Sequence, residues 1–348
     1  MVARCFPYYL DFRFDAGTSR GILRKKETWF LEIYDPLDPS KKGIGECAIF
    51  RGLSYDDRPE YAAKMSEVCQ NIDRYISNAS TLLAEWPAIR FGLETALADL
   101  QCKDAKILFP SAFTDGTDFI PINGLIWMDR KEKMLLSIRK KIDEGFKCIK
   151  LKIGAIDFEE ELSLLAFIRK EYAVKDIEIR VDANGAFAPD QALEKLNRLS
   201  AFSIHSIEQP IKQGQIEAMA ELCCKTPIPI ALDEELIGCN TPEGRRNLIT
   251  MIKPAYIILK PSLVGGFSAT KEWIDLANEF QTDWWITSAL ESNIGLNAIA
   301  QWTYVHRNEL PQGLGTGQLF HNNISSPLLV EKGGLYYHKS TPWGVLNS

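Results

Sequence analysis

Residues 148–154 read CIKLKIG, residues 177–184 read IEIRVDAN, and residues 256–262 read YIILKPS. Each is a short aliphatic run with charged residues at or near its end, too short for an independent helix and suited to a strand buried on both faces. Further runs of this kind lie at 204–209, 228–233 and 285–288, and a last strand is expected before the glycine-rich 313–317. Helical patterns separate them at 157–172, 190–199, 216–224, 242–252, 268–280 and 295–306. In the first of these, Phe158, Leu162 and Leu165 share a face and Asp157 with Glu160 fits a capping box. The strand-to-strand step is roughly 25 to 30 residues, one βα unit, and seven or eight units in a row predict a closed parallel barrel rather than an open sheet. No glycine-rich nucleotide fingerprint opens the series.

Ahead of the barrel, residues 8–14 and 27–34 read as paired strands joined by a polar turn over 16–21, and the glycine-rich 43–45 reads as a connection. Helices are expected at 59–78 and 86–103, so this part is an α+β unit. The predicted division is a capping domain over 1–115, a barrel over 116–325 and a C-terminal segment over 326–348 that returns to the cap. The opening MVARCFPYYLDFRFD alternates polar and apolar residues and reads as a strand rather than a signal peptide. With 348 residues, 46% hydrophobic and 25% charged, the chain has an ordinary globular composition. A net charge of -6 leaves no basic footprint for nucleic acid, and no apolar run is long enough to span a membrane, so neither is an expected partner. The 8 cysteines form no C-x-x-C pair, which points to free thiols in a cytoplasmic protein. Trp284 and Trp285 are read as barrel wall, and the 4 histidines show no ligand spacing.

Catalytic groups of a barrel stand at the carboxyl ends of its strands. There the chain places Lys150 and Lys152, on one side of a strand because side chains alternate, then Asp182 with Asn184 close behind. Glu208, Asp233 with Glu234, Lys260 with Ser262, and Ser288 with Glu291 follow. Asp182, Glu208 and Asp233 come from consecutive strands, and three uncompensated carboxylates at one mouth repel one another. A hard divalent cation resolves this; Mg²⁺ suits the oxygen ligands and Mn²⁺ can substitute. The rival reading is a buried ion network between these acids and the nearby lysines. Lys152 and Lys260 are expected on opposite sides of the cation, with Lys150 favouring the neutral, basic form of Lys152. A Schiff-base role for Lys260 leaves the three acids unexplained.

The segments KLKIG, RVDANGAF, SIEQPI, ALDEEL, ILKPSLVGG and ITSALESNIG resemble, in order and spacing, the motifs of the enolase superfamily in its muconate-lactonising subgroup. The resemblance covers essentially the whole chain. It implies a modified (β/α)₇β barrel with an N-terminal α+β cap and a metal site at Asp182, Glu208 and Asp233. It also implies chemistry that starts by removing a proton α to a carboxylate, giving an enediolate.

Dipeptide epimerases of this family carry an acidic Asp-x-Asp element near the last strand, whereas residues 312–318 here, QGLGTGQ, contain no acid. KPSLVGG and ITSALESNIG are more similar to the o-succinylbenzoate synthases, lyases of menaquinone biosynthesis acting on a small carboxylate. N-acylamino-acid racemase or dipeptide epimerase is the alternative. In the synthase reading Lys152 is the base, Lys260 stays cationic and Lys150 tunes the site. Ser262, Ser288, Arg20 and Asn184 are candidate substrate contacts, with Glu234 and Glu291 behind them and Glu291 as the partner of Lys260. The turn with Thr18, Ser19 and Arg20, and the segment Phe50-Arg51-Gly52-Leu53, are the expected capping loops, their arginines suiting a dianion.

Overall fold

Alternating apolar residues at the start of the chain build three long antiparallel strands, β1 (Val2–Thr18), β2 (Gly21–Asp35) and β3 (Asp38–Cys47), in the order β1-β2-β3. The structure is a computed structural model, and it describes residues 1–346 apart from 19, 20 and 105. Three helices follow, α1 (Tyr61–Gln70), α2 (Ile72–Leu82) and α3 (Pro87–Gln101), and bury Leu31, Ile33, Met65, Ile89 and Leu93 in a common core. The expected connection at 43–45 is instead part of β3. Its glycines serve packing: a Cβ on Gly45 would stand 1.8 Å from the Gly92 carbonyl oxygen of α3, and one on Gly43 would stand 2.0 Å from that of Ala96. Only residues without side chains let the helix lie this close to the strand.

The rest of the chain alternates β4 (Ile120–Pro121), β5 (Gly124–Ile126), α4 (Lys131–Asp143), β6 (Cys148–Lys152), α5 (Phe158–Glu171), β7 (Glu178–Asp182), α6 (Pro189–Ser200) and β8 (Ser206–Glu208). It continues through α7 (Ile216–Lys225), β9 (Ile230–Leu232), α8 (Pro242–Ile252), β10 (Tyr256–Leu259), α9 (Pro261–Val264), α10 (Gly266–Glu279), β11 (Asp283–Ile286) and α11 (Asn293–Val305). Strands β5 to β11 form one parallel sheet in sequence order. The sheet closes through Gln312 and Gly313: Gly313 N donates to Ile286 O at 2.8 Å on one side, and Gln312 N donates to Pro121 O at 2.8 Å on the other. This is the (β/α)₇β arrangement, with the eighth strand reduced to two residues. Strand β5 carries only three residues and begins at Gly124, too weak a pattern to read from the sequence.

The period of two sorts the strand residues. Ile149, Leu151, Ile179, Val181 and Ile207 enter the core beneath the helices. The alternate residues Lys150, Lys152, Arg180, Asp182 and Glu208 share the lumen. Its lower half is filled by Trp285, over which the Arg180 guanidinium stacks at 4.2 Å. The last strands, β12 (Leu328–Glu331) and β13 (Gly334–Tyr337), form a hairpin whose β13 pairs with β4, so this part of the C-terminal segment stays with the barrel. Trp343 and Leu346 pack with Phe6 and Phe30 of the cap.

Candidate active site

Parallel register sets Lys152 opposite Asp182 and Asp182 opposite Glu208 at the carboxyl ends of β6, β7 and β8. Asp233 follows β9 and Lys260 follows β10. The three carboxylates thus form a row at the mouth, each no more than 2% exposed. Lys150 Nζ lies 3.0 Å from Asp182 Oδ2 and also contacts Glu208 Oε2. Lys152 Nζ donates to Asp182 Oδ2 at 3.0 Å and to Asn184 Oδ1 at 2.6 Å. At the other end of the row Lys260 Nζ donates to Asp233 Oδ2.

The two catalytic candidates Lys152 and Lys260 therefore flank the row from opposite ends. Burial alone disfavours every charge here, and neighbours decide the outcome. Burial works against ionised Asp182, but Lys150, Lys152 and Lys260 outweigh it and hold the carboxyl well below its usual range. Glu208 is pushed the other way, by burial and by the charges of Asp182 and Asp233. Lys150 is buried too, yet Asp182, Glu208 and Asp233 raise its pKa, and Lys260 is raised by Asp233, Glu208 and Glu234.

The ion network that the sequence offered as a rival is thus present, built from the same atoms as the expected cation site. Among the described residues no three acidic, imidazole or thiol groups stand as a ready coordination set, since Lys150 bridges two of the acids and Lys260 holds the third. The donors nonetheless fit a hard divalent cation. They are three carboxylates on adjacent strands, and Glu208 Oε1 is buried with no hydrogen-bond partner among the described residues.

Supporting residues fix this row. Asn184, with φ of 44°, turns its Nδ2 to Glu234 Oε1 at 3.0 Å while its backbone N donates to Asp182 Oδ1 at 3.0 Å. Gln209 was not singled out in the sequence; its Oε1 accepts from Asp233 N and Glu235 N, both at 3.2 Å, and so positions the Asp233 turn. Its place directly after Glu208 was the available signal.

A cavity of about 550 Å³ opens above the row, large enough for a small organic acid. Lys150, Lys152, Asp182, Asn184, Lys260 and Ser288 line it. Its apolar roof comes from the cap, with Phe14, Leu23, Phe50 and Leu53, and from Trp127 just beyond β5. Trp127 meets Phe14 with ring centroids 6.0 Å apart and had no signal in the sequence.

Several expected contacts differ. Ser262 is fully buried away from the cavity, donating to Glu291 Oε1 at 2.5 Å, so it does not face substrate. Glu291 is not the partner of Lys260: its carboxylate accepts from Ser262, from Ser288 Oγ at 2.6 Å and from Ala289 N at 2.8 Å. These donors are close in the fold, whereas Lys260 is drawn to Asp233. Arg51 is spent on Glu27, with its Nη2 at 2.7 Å from Oε1, and on Asp57 at 2.8 Å, leaving Phe50 and Leu53 as the part of that segment lining the cavity. Arg20 and Ser19 lie outside the described residues.

Residues 133–342 match the model of the enolase C-terminal domain-like family. The o-succinylbenzoate synthase of Desulfotalea psychrophila is 45% identical, over 93% of this chain and 95% of that protein. The crystal structure of MenC from the same organism superposes with a TM-score of 0.85 at 40% identity, covering 97% of this chain and 99% of the other. An N-succinylamino acid racemase from Amycolatopsis is 24% identical over 94% of this chain and 89% of that protein.

Proposed function

From a chain that belongs to the enolase superfamily, we propose an o-succinylbenzoate synthase: a lyase that dehydrates 2-succinyl-6-hydroxy-2,4-cyclohexadiene-1-carboxylate to o-succinylbenzoate for menaquinone synthesis. The carrying observation is that Lys152 and Lys260 flank one carboxylate row beneath a substrate-sized cavity, in a chain 45% identical to such a synthase.

Asp182, Glu208 and Asp233 are the residues that would hold Mg²⁺, with Mn²⁺ as substitute. The cation, when bound, supplies positive charge against that developing on the substrate carboxylate. Lys152, oriented by Asn184 and Asp182, is the base and takes the proton α to the ring carboxylate. Lys260, kept cationic by Asp233, faces the resulting enediolate from the other side. As the enediolate collapses, the C–O bond to the 6-hydroxyl breaks, and Lys152 returns its proton to the leaving hydroxide on the same face. Water departs and the ring becomes aromatic. Lys150 holds Asp182 and Glu208 in register. The apolar roof keeps bulk water from the enediolate, and Ser288 on the cavity wall is the remaining serine candidate for the succinyl carboxylate.

No helix among the described residues is long and apolar enough to cross a membrane. The unbridged cysteines support a cytoplasmic setting. The testing experiment follows the ultraviolet absorbance of the diene with enzyme and Mg²⁺ against an EDTA control. Metal-dependent loss of the diene with o-succinylbenzoate as product is expected. A folded, metal-loaded enzyme that leaves the diene intact but exchanges the α-proton of N-succinyl amino acids with solvent deuterium would replace the synthase by a racemase.

A further inference from the structure

Glu234 takes no direct part in the reaction, yet it touches the residue that touches the base. It is 3% exposed and stands in the short turn directly after Asp233. That turn is pinned. Gln209 Oε1 accepts from Asp233 N and Glu235 N, and Glu235 accepts from Gln209 Nε2 at 3.0 Å and from Gly214 N at 2.8 Å. Glu234 thus presents a fixed acceptor, Oε1, to Asn184 Nδ2 at 3.0 Å.

The backbone around Asn184 is fixed as well. Gly185 N donates to Gln209 O at 2.7 Å, Ala186 N to Ala183 O at 2.9 Å, and Asn184 N to Asp182 Oδ1 at 3.0 Å. What the backbone leaves open is the last torsion of the side chain, which is broad, while the two ends of the amide have similar shapes and opposite hydrogen-bonding roles. Lys152 Nζ donates to Asn184 Oδ1 at 2.6 Å, so the amide must turn its oxygen to the lysine. A carboxylate at Glu234 only accepts, so it takes the amide nitrogen and excludes the flipped side chain, in which N–H would meet N–H and oxygen would meet oxygen. The Lys152 nitrogen then carries its own Cε, a hydrogen bond to Asp182 Oδ2 at 3.0 Å and one to Asn184. Its fourth tetrahedral position is left for the cavity that the side chain lines.

We propose that Glu234 is a positioning residue for the base: by accepting from Asn184 Nδ2 it fixes which end of that amide meets Lys152, and so aims the Lys152 amine at the substrate. The defect on losing it falls on the proton-transfer step rather than on substrate binding, because both ends of the Asn184 amide are engaged within the protein.

This inference rests on the reading of Lys152 as the base. Steady-state kinetics on the diene at saturating Mg²⁺ are measured for Glu234→Met, Glu234→Gln, Asn184→Ala and the Glu234→Met/Asn184→Ala pair, with crystal structures of both single Glu234 variants. Glu234→Met removes the acceptor, and a misaimed base is expected to lower kcat about 30-fold or more with KM within about threefold. Glu234→Gln keeps a carbonyl oxygen for Asn184 Nδ2 and is expected to recover kcat to within about fivefold of wild type. Asn184→Ala is expected to match the loss in Glu234→Met, and joining the two to add no more than about twofold, because both act on one contact. In the crystals Asn184 Oδ1 is expected to stay within reach of Lys152 Nζ in the glutamine variant and to lie beyond about 3.5 Å in the methionine variant.

Wild-type kcat in Glu234→Met, or additive losses in the double variant, would overturn the proposal. Glu234→Gln as slow as Glu234→Met, with the Asn184 contact intact, would assign Glu234 to charge support of Lys260, on which it also acts, and overturn it equally. A loss that more Mg²⁺ makes good would place the defect in the cation site and do the same. If Glu234→Met fails to fold, Asn184→Ala decides with Glu234→Gln: a kcat loss of the expected size at unchanged KM in the first, recovered in the second, supports the proposal, and wild-type kcat in Asn184→Ala refutes it. Wild-type kcat in Lys152→Ala would remove the base reading and the proposal with it. If the wild type itself leaves the diene unchanged, the synthase reading falls, and the crystal comparison still decides whether Glu234 sets the Asn184–Lys152 contact.

Discussion

Replacing Lys150 by methionine separates the lysine network from the cation site that shares its carboxylates. Lys150 is buried, bridges Asp182 at 3.0 Å and Glu208, and has its pKa raised by the acids around it. Removing one partner of a buried ion pair costs about 3–5 kcal/mol, because the remaining charge is left uncompensated. At about 2–4 °C per kcal/mol for a domain of this size, Lys150→Met in EDTA should melt about 6–20 °C below wild type. The variant's carboxylate row carries one more negative charge, so Mg²⁺ should bind it more tightly and raise its melting temperature by more than that of wild type. A ligand at a hundredfold excess over its Kd contributes about 2.7 kcal/mol, enough to close much of the gap.

The sign with pH follows from the raised pKa. The stabilisation by Lys150 is complete below the unfolded value of about 10.4 and is lost as pH rises beyond it. The difference between wild type and variant should therefore hold from neutrality to about pH 10 and shrink above it. Scanning calorimetry with EDTA and with Mg²⁺ gives the result directly. A drop under about 3 °C in EDTA, or an equal Mg²⁺ shift in both proteins, would refute the shared use of these oxygens.

Lys152→Ala should lower kcat by about 10²–10⁴-fold, the usual share of a positioned acid or base, with the circular dichroism spectrum unchanged; more than a few per cent residual activity would remove Lys152 as the base. Gly45→Ala forces a methyl group to within 1.8 Å of the Gly92 carbonyl oxygen and should cost about 3 kcal/mol or more, read as a lower denaturant midpoint for the cap. Burial pushes the Asp56 carboxyl up to about 7, although its Oδ2 accepts from Ala88 N at 2.9 Å at the start of α3. Wild-type stability should fall between about pH 4 and 7, by up to about 1.4 kcal/mol per unit, because the folded state holds the proton more tightly. Asp56→Asn should flatten that slope in melting curves, and a slope unchanged in the variant would assign it to other groups.

The sequence by itself determined the barrel and the identity of its polar mouth. A strand's period of two and the repeat of one βα unit are written within a few tens of residues, so Lys150, Lys152, Asp182, Glu208, Asp233 and Lys260 could be read as strand-end groups without knowing what they face. The family motifs carry the same local information. What a side chain faces is a different kind of fact. Ser262 turns to Glu291 instead of to substrate, and Arg51 turns to Glu27 and Asp57, because acceptors from other parts of the fold come closer. The glycines at 43 and 45 resemble a loop until α3 is laid against them. Glu46 meets Ser292 across 246 residues of sequence, and Lys26 is buried only because cap and barrel close over it. Such pairings depend on how whole layers dock, and burial then magnifies each charge within them, so only the tertiary structure decides them.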